Sequence, residues 1–348
     1  MKYIGNKSRL LGFIEDSLID FGINYKNVVA YDLFAGTGSV SEFFLKNDCE
    51  VYSCDNMNYS EAEQYRKLYF KKEPEFNELK EVIGFEKLDD VLSYLNNLEG
   101  KKGYFFENFC EQGAYKRRFF SKENAEKIDA IREKIDEWKN ILPKEKYIFL
   151  VGILMDAADF VSNTAGTYGA YLKIWRSMAL KQLTLKKPKF IDKGKMNIFV
   201  DNVINFIDSR GKADIVYMDP PYNTRQYPAY FSVLESIVKN DKEQLIGKTG
   251  LRNYEHQKSK FSIKSEVKQE FKKLINKIDS KYIVMSYSTE GILAVQDILD
   301  ILKEKGRTKM YDKSYRRFKT NAWTSKDTNL KEILFICEVN KGKMKEEI

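Results

Sequence analysis

Val28-Val29-Ala30-Tyr31-Asp32-Leu33-Phe34-Ala35-Gly36-Thr37-Gly38 is an apolar run that breaks on a pair of glycines. Its first four residues read as a buried strand, and Gly36-Thr37-Gly38 opens a helix through Ser39 to Leu45. A second strand, 50–54, ends on Asp55. Strand, glycine turn, helix and strand in that order make the first unit of a doubly wound, mostly parallel α/β sheet. The strand pattern resumes at 197–200 and continues at 213–218, 281–286 and 332–339, with helices between. About 140 residues separate the second strand from the third. A connection of that length does not stay structureless in a compact protein, so it predicts a mainly helical inserted subdomain. The expected division is a catalytic domain of 1–57 and 190–348 around an insertion of 58–189.

The glycine turn narrows the ligand class. A dinucleotide site favours a third glycine three residues on, but that position holds Ser41, so no pyrophosphate need be cradled. Asp55 follows Gly38 by 17 residues at a strand end, where a carboxylate can accept both hydroxyls of a ribose. That arrangement serves any adenosine cofactor. A plain glycine turn with a capping aspartate gives the same local pattern.

Asp219-Pro220-Pro221-Tyr222 directly follows the strand 213–218. The chain has only six prolines, and a simple turn needs neither the Asp nor the Tyr. An exocyclic amine is a poor nucleophile because its lone pair is delocalised into the ring. Attack on a methyl sulfonium therefore needs acceptors that hold its N–H groups and draw the nitrogen toward tetrahedral geometry. The Asp219 carboxylate and Pro220 carbonyl can be those acceptors, and the fixed φ of two prolines stiffens the loop that aims them. Tyr222 offers a flat face for an extruded base.

Composition excludes more than it selects. Fifty-nine Lys+Arg against 51 Asp+Glu leave a net charge of +8, which suits a polyanion and also suits Lys-rich usage in general. Cys49, Cys54, Cys110 and Cys337 show no Cys-x-x-Cys spacing and His256 is the only histidine, so no metal is expected. The most apolar run, 147–155, is about half of a bilayer crossing and reads as a buried helix. Glu15 and Asp16 interrupt the N-terminal apolar stretch too early for a signal peptide, and a cytoplasmic protein is expected.

Together these motifs resemble the amino-methyltransferases, specifically the D12-class adenine-N6 DNA methylases in the order called the α group. Tyr3-Ile4-Gly5-Asn6-Lys7 is similar to the family's N-terminal Tyr-x-Gly-x-Lys segment beside the methionine end of the cofactor. Asp201 is similar to the aspartate that receives the cofactor's adenine amino group, and Ser286-Tyr287 to a pocket-wall motif. The longer loop Asp219-Pro220-Pro221-Tyr222-Asn223-Thr224-Arg225-Gln226-Tyr227, with Leu234-Glu235 after it, looks like the subset found in type II restriction-modification systems. The resemblance implies the S-adenosylmethionine-dependent methyltransferase fold, with the insertion as target-recognition subdomain. It implies a site-specific DNA adenine methyltransferase that flips its base and is monomeric or weakly dimeric. A cognate endonuclease acting on the same site fits that implication. It also implies S-adenosylmethionine at Tyr3, Lys7, Asp32, Phe34, Gly36, Gly38, Asp55 and Asp201, and catalysis by Asp219, Pro220, Pro221 and Tyr222.

Three segments are candidates for double-stranded DNA. Residues 104–122 interleave aromatics with Lys116, Arg117 and Arg118, and 241–264 carries Lys248 and Arg252, while Arg225 lies in the catalytic loop. The basic stretch 303–319 reads equally as a DNA face or a solvated edge. Asn163-Thr164-Ala165-Gly166-Thr167-Tyr168-Gly169 resembles a loop near the flipped base and also reads as a helix-ending turn. Two other functions compete: an RNA exocyclic-amine methyltransferase, and a DNA-binding relative without catalysis. Cytosine-N4 and protein-glutamine enzymes tend to carry Asn or Ser before Pro-Pro-Tyr, so Asp219 argues for adenine.

Overall fold

The computed structural model describes residues 7–314 and 331–340. Tyr3, the end of the 303–319 stretch and the tail from Lys341 fall outside the described residues.

The strands are β1 (Val29–Leu33), β2 (Glu50–Asp55), β3 (Lys195–Val200), β4 (Ala213–Met218), β5 (Ser280–Ser288), β6 (Gly306–Ser314) and β7 (Lys331–Val339). They form one sheet in the order β3-β2-β1-β4-β5-β7-β6. Strands β1 to β5 are parallel, while β7 runs antiparallel to β5 and β6 antiparallel to β7. Strand order reverses between β1 and β4, and the carboxyl ends of the strands beside such a switch point form the natural crevice of an open α/β sheet.

Alternation along each strand sends side chains to two cores. Ala30, Val51, Ile215, Val284 and Leu334 pack against α1 (Leu11–Phe21) and α2 (Ser39–Lys46). Leu33, Val216, Met218, Ile283 and Phe335 pack against α9 (Val203–Asp208), α12 (Val267–Lys277) and α13 (Val295–Lys305). Residues from Met57 onward build a third core from α3 (Asn58–Gln64), α4 (Lys80–Ile83), α5 (Leu88–Asn97), α6 (Tyr104–Phe109), α7 (Lys122–Glu137) and α8 (Lys144–Phe160). That core also takes in Phe231, Leu234 and Ile237 around α11 (Ser232–Lys239), which follows the catalytic loop and the short α10 (Tyr227–Tyr230). The helical body is therefore joined to the catalytic loop through shared apolar packing. Helix α8 is buried over most of its length, and no helix among the described residues is long and apolar enough to cross a membrane.

One strand differs from the sequence reading. Residues 306–314, within the basic stretch that shows no strand pattern, are the edge strand β6. Its exposed face carries Arg307 and Lys309, paired with Glu338 and Asp20, so apolar alternation is missing where water covers the strand.

Candidate active site

The tight turn after β1 is built by backbone conformation. Phe34, Gly36 and Gly38 have φ of 63°, 51° and 72°, in the left-handed region. A Cβ on Gly38 would lie 2.6 Å from Leu68 Cδ1, so a larger residue there would also have to push that side chain aside. Asp55, at the end of β2, accepts Gly36 N–H on one carboxylate oxygen (2.8 Å) and Met57 N–H on the other (3.0 Å). Burial pushes its carboxyl up to about 6 against those two amides. Asp32, at 1% exposure, accepts the Ser41 hydroxyl at 2.6 Å, and burial raises it to about 7.

Asp219 follows β4 at the switch point. Its Oδ1 lies 3.1 Å from Lys7 Nζ, and the same ammonium contacts the Glu332 carboxylate. Burial pushes the Asp219 carboxyl up to about 7; Lys7 opposes that shift and Glu332 adds to it. Burial alone would lower the Lys7 ammonium, but Asp219 and Glu332 together hold it well above its usual value. The Tyr222 ring stands edge-on to Tyr287, 6.1 Å between centroids, and 5.6 Å from Lys7 Nζ.

Several of the expected site residues share one cleft: Lys7, Asp32, Phe34, Asp55, Asp201, Asp219 and Pro221 line it, whereas Pro220 and Tyr222 are not among its lining residues. Gly36 and Gly38 shape the turn behind it. The segment around Gln257–Phe261, part of the stretch expected to contact DNA, covers one side. Gln226 donates its amide to Ser259 O (3.1 Å) and accepts Ser259 N–H (2.8 Å), while Gln257 and Asn56 exchange side-chain to main-chain bonds at 3.1 and 2.9 Å. Phe261 meets Phe34 edge-on at 4.9 Å. Glu235, 1% exposed, accepts Asn58 N–H, Tyr59 N–H and the Gln257 amide, tying α11 to the start of α3 and the cleft wall. Leu234-Glu235 was visible in the sequence; that role was not.

Two of the expected DNA residues are corrected by the structure. Arg117 is 3% exposed, and its guanidinium donates to the carbonyls of Asn108, Gly247 and Lys248 at 3.0, 3.0 and 3.2 Å. Arg252, also 3% exposed, is ion-paired with Asp241 and Glu243. Both hold segments together, because a guanidinium buried against carbonyls or carboxylates of the fold is out of reach of a phosphate. Arg118 is half-buried, paired with Glu111 and bonded to Lys173 O. Lys116, Lys248 and Arg225 are exposed. In the 163–169 loop, buried Asn163 donates to Leu172 O and Arg118 O and accepts Arg176 N–H, and Tyr168 N–H reaches Tyr230 O at 2.7 Å, beside the catalytic loop. Among the described residues no cluster of His, Cys, Asp and Glu could hold a metal ion.

The chain can be placed among known proteins on this geometry. It is 36% identical over 328 residues to the type II methyltransferase M.FokI of Planomicrobium okeanokoites, a match covering 92% of this chain and 50% of that protein. It is 35% identical over 324 residues to the type II methyltransferase M.NlaIII of Neisseria lactamica, covering 92% and 93% of the two chains. Against the type II methyltransferase M.CviAII of Paramecium bursaria Chlorella virus 1 the identity is 30% over 342 residues, covering 97% and 98%. The chain thus spans about half the length of M.FokI and nearly all of the other two. The sequence profile of one family matches residues 3–301, and the chain belongs to it: the D12 class N6 adenine-specific DNA methyltransferases.

Proposed function

We propose that this protein transfers the methyl group of S-adenosylmethionine to N6 of an adenine flipped out of double-stranded DNA. The observation that carries the reading is the buried Asp219 carboxylate with its Lys7 counter-ion, standing in the same cleft as Asp55 and Asp201. The cleft fits the cofactor. Each Asp55 oxygen keeps a lone pair beyond its backbone bond for a ribose hydroxyl, and the exposed Asp201 carboxylate suits an adenine amino group. Phe34 and Phe261 supply apolar surface, and the acidic lining suits a cation.

When bound, S-adenosylmethionine supplies an electrophilic methyl group on a sulfonium. Asp219 and the Pro220 carbonyl accept the two N–H groups of adenine N6 and orient its lone pair along the attack line. Positive charge grows on that nitrogen as the N–C bond forms and the C–S bond breaks, and the Asp219 carboxylate stabilises it. A surplus proton then leaves the nitrogen, and a carboxyl at about 7 can receive it. Tyr222 gives the extruded ring a face to stack on.

Asp55→Ala is expected to weaken S-adenosylmethionine binding by about 1–3 kcal/mol, the loss of a charge-assisted hydrogen bond. Unchanged affinity by calorimetry would remove Asp55 from the site.

In the same reading the helical body 58–189 recognises the DNA target, and methylation protects that site from a cognate endonuclease. Exposed Lys116, Lys248 and Arg225 contact phosphates. Replacing all three with Gln should flatten the slope of log affinity against log salt by roughly one unit per lost contact. An unaltered slope would put the DNA face elsewhere.

A further inference from the structure

Lys7, Asp219 and Glu332 come from three distant parts of the chain and meet at one ammonium. Lys7 is 5% exposed and Glu332 8%. Glu332 reaches the site because β7 is reversed: its start pairs with the end of β5, Glu332 opposite Ser288, and so lies at the carboxyl edge of the parallel strands. One ammonium between two carboxylates leaves an excess of one negative charge when both acids are ionised. A buried, uncompensated charge is costly, so the cluster is balanced either by a proton, which is why burial and Glu332 raise the Asp219 carboxyl, or by a further cation.

The reaction places one there. If Asp219 holds N6, in-line transfer needs the methyl carbon about 3 Å from that nitrogen, so the sulfur stands only a bond length further on. We propose that Glu332 is a positioning residue which, by sharing the Lys7 ammonium, sets the charge of the site to match a sulfonium ligand; this inference rests on the function proposed above. With Lys7 shared with Glu332, an ionised Asp219 is not fully neutralised by that ammonium and retains negative field for a cation beside it. Without Glu332, Lys7 and Asp219 cancel, and a methyl sulfonium gains less over a neutral thioether. Transfer moves the cation from sulfur to nitrogen, still beside Asp219, so the thioether product loses the attraction that held the substrate cofactor. Among the described residues, the other groups facing Asp219 are the hydroxyls of Tyr227 and Tyr217, the latter donating to Ser286 Oγ at 2.9 Å, and the Asp32 carboxyl. None of them supplies a second cation.

The test is calorimetry on the full chain with S-adenosylmethionine and S-adenosylhomocysteine, which differ at sulfur by one methyl and one charge. Glu332→Gln keeps the shape of the side chain and should lower the preference for the sulfonium over the thioether by roughly tenfold, an effect of one unit charge in a partly screened site. The pH profile gives a second readout. Glu332 raises the Asp219 carboxyl, so its removal should move the acid limb of kcat/KM to lower pH. Equal loss for both ligands, no loss for either, or an unmoved acid limb overturns the charge-matching role. Failure of the unsubstituted chain to bind either ligand would instead overturn the proposed function, and the inference with it.

Discussion

Asp219→Asn is expected to leave DNA affinity nearly intact, to weaken S-adenosylmethionine binding by about the same factor as Glu332→Gln, and to slow single-turnover methyl transfer at saturating cofactor by about 10²–10³-fold, the usual loss when one preorganised electrostatic partner is removed. The amide keeps an oxygen but loses the charge. Its NH₂ group also turns a donor toward either Lys7 or the adenine amine, where the carboxylate offered acceptors to both. In the unsubstituted protein the transfer depends on pH through the same group. Only the carboxylate accepts an N–H and stabilises positive nitrogen. With the carboxyl pushed up to about 7, kcat/KM should rise with pH through that region and level off above it. A rate in Asp219→Asn within a few fold of the parent would remove Asp219 from the chemistry. A profile flat from pH 6 to 8 would remove its titration.

Arg132→Met is expected to cost about 2–4 kcal/mol of stability, because it removes a buried guanidinium from its acceptors and leaves the half-buried Asp136 carboxylate without its cation. Arg132 is 1% exposed on α7. Its Nε donates to Ile237 O at 2.7 Å and its Nη2 to Val238 O at 3.0 Å and Tyr147 Oη at 2.9 Å, while Nη1 pairs with Asp136. The Asp136 carboxylate also accepts Tyr147 Oη and the Asn240 amide, both at 2.6 Å. One side chain thus caps the last carbonyls of α11 and ties them to α7 and α8. Methionine fills much of the volume but leaves those carbonyls orphaned and Asp136 without its cation. Urea unfolding followed by the fluorescence of buried Trp138 measures the effect, and a loss under about 1 kcal/mol would refute the capping role.

How far the sequence could be read depended on how local each signal was. The turn from Tyr31 to Gly38, the carboxylate of Asp55 and the Asp219-Pro220-Pro221-Tyr222 loop are each contiguous, and the strand pattern places them at carboxyl ends, where Asp32, Phe34, Asp55, Asp219 and Pro221 line one cleft. Strand β6 was hidden because an edge strand with polar residues on both faces has no period to detect. Arg117 was misread because aromatics interleaved with basic residues look alike whether a guanidinium faces phosphate or binds carbonyls inside the fold, and Arg252 because a basic stretch does not show that a guanidinium is paired with Asp241 and Glu243. Only the partners decide, and those of Arg117 on the 247–248 turn lie about 130 residues away. Glu332 was unreadable for the same reason in stronger form. It pairs with a lysine 325 residues earlier, and it enters from the start of a reversed strand, whereas the rule for α/β sheets directs attention to strand ends.

The central claim is that the Asp219 cleft methylates adenine at N6 in duplex DNA. A single-turnover reaction with methyl-labelled S-adenosylmethionine and double-stranded DNA, followed by digestion and nucleoside analysis, tests it most directly. The account predicts label in N6-methyldeoxyadenosine from the duplex and close to none from Asp219→Asn. Label in cytosine, label only when RNA replaces DNA, or no transfer to any nucleic acid would contradict it.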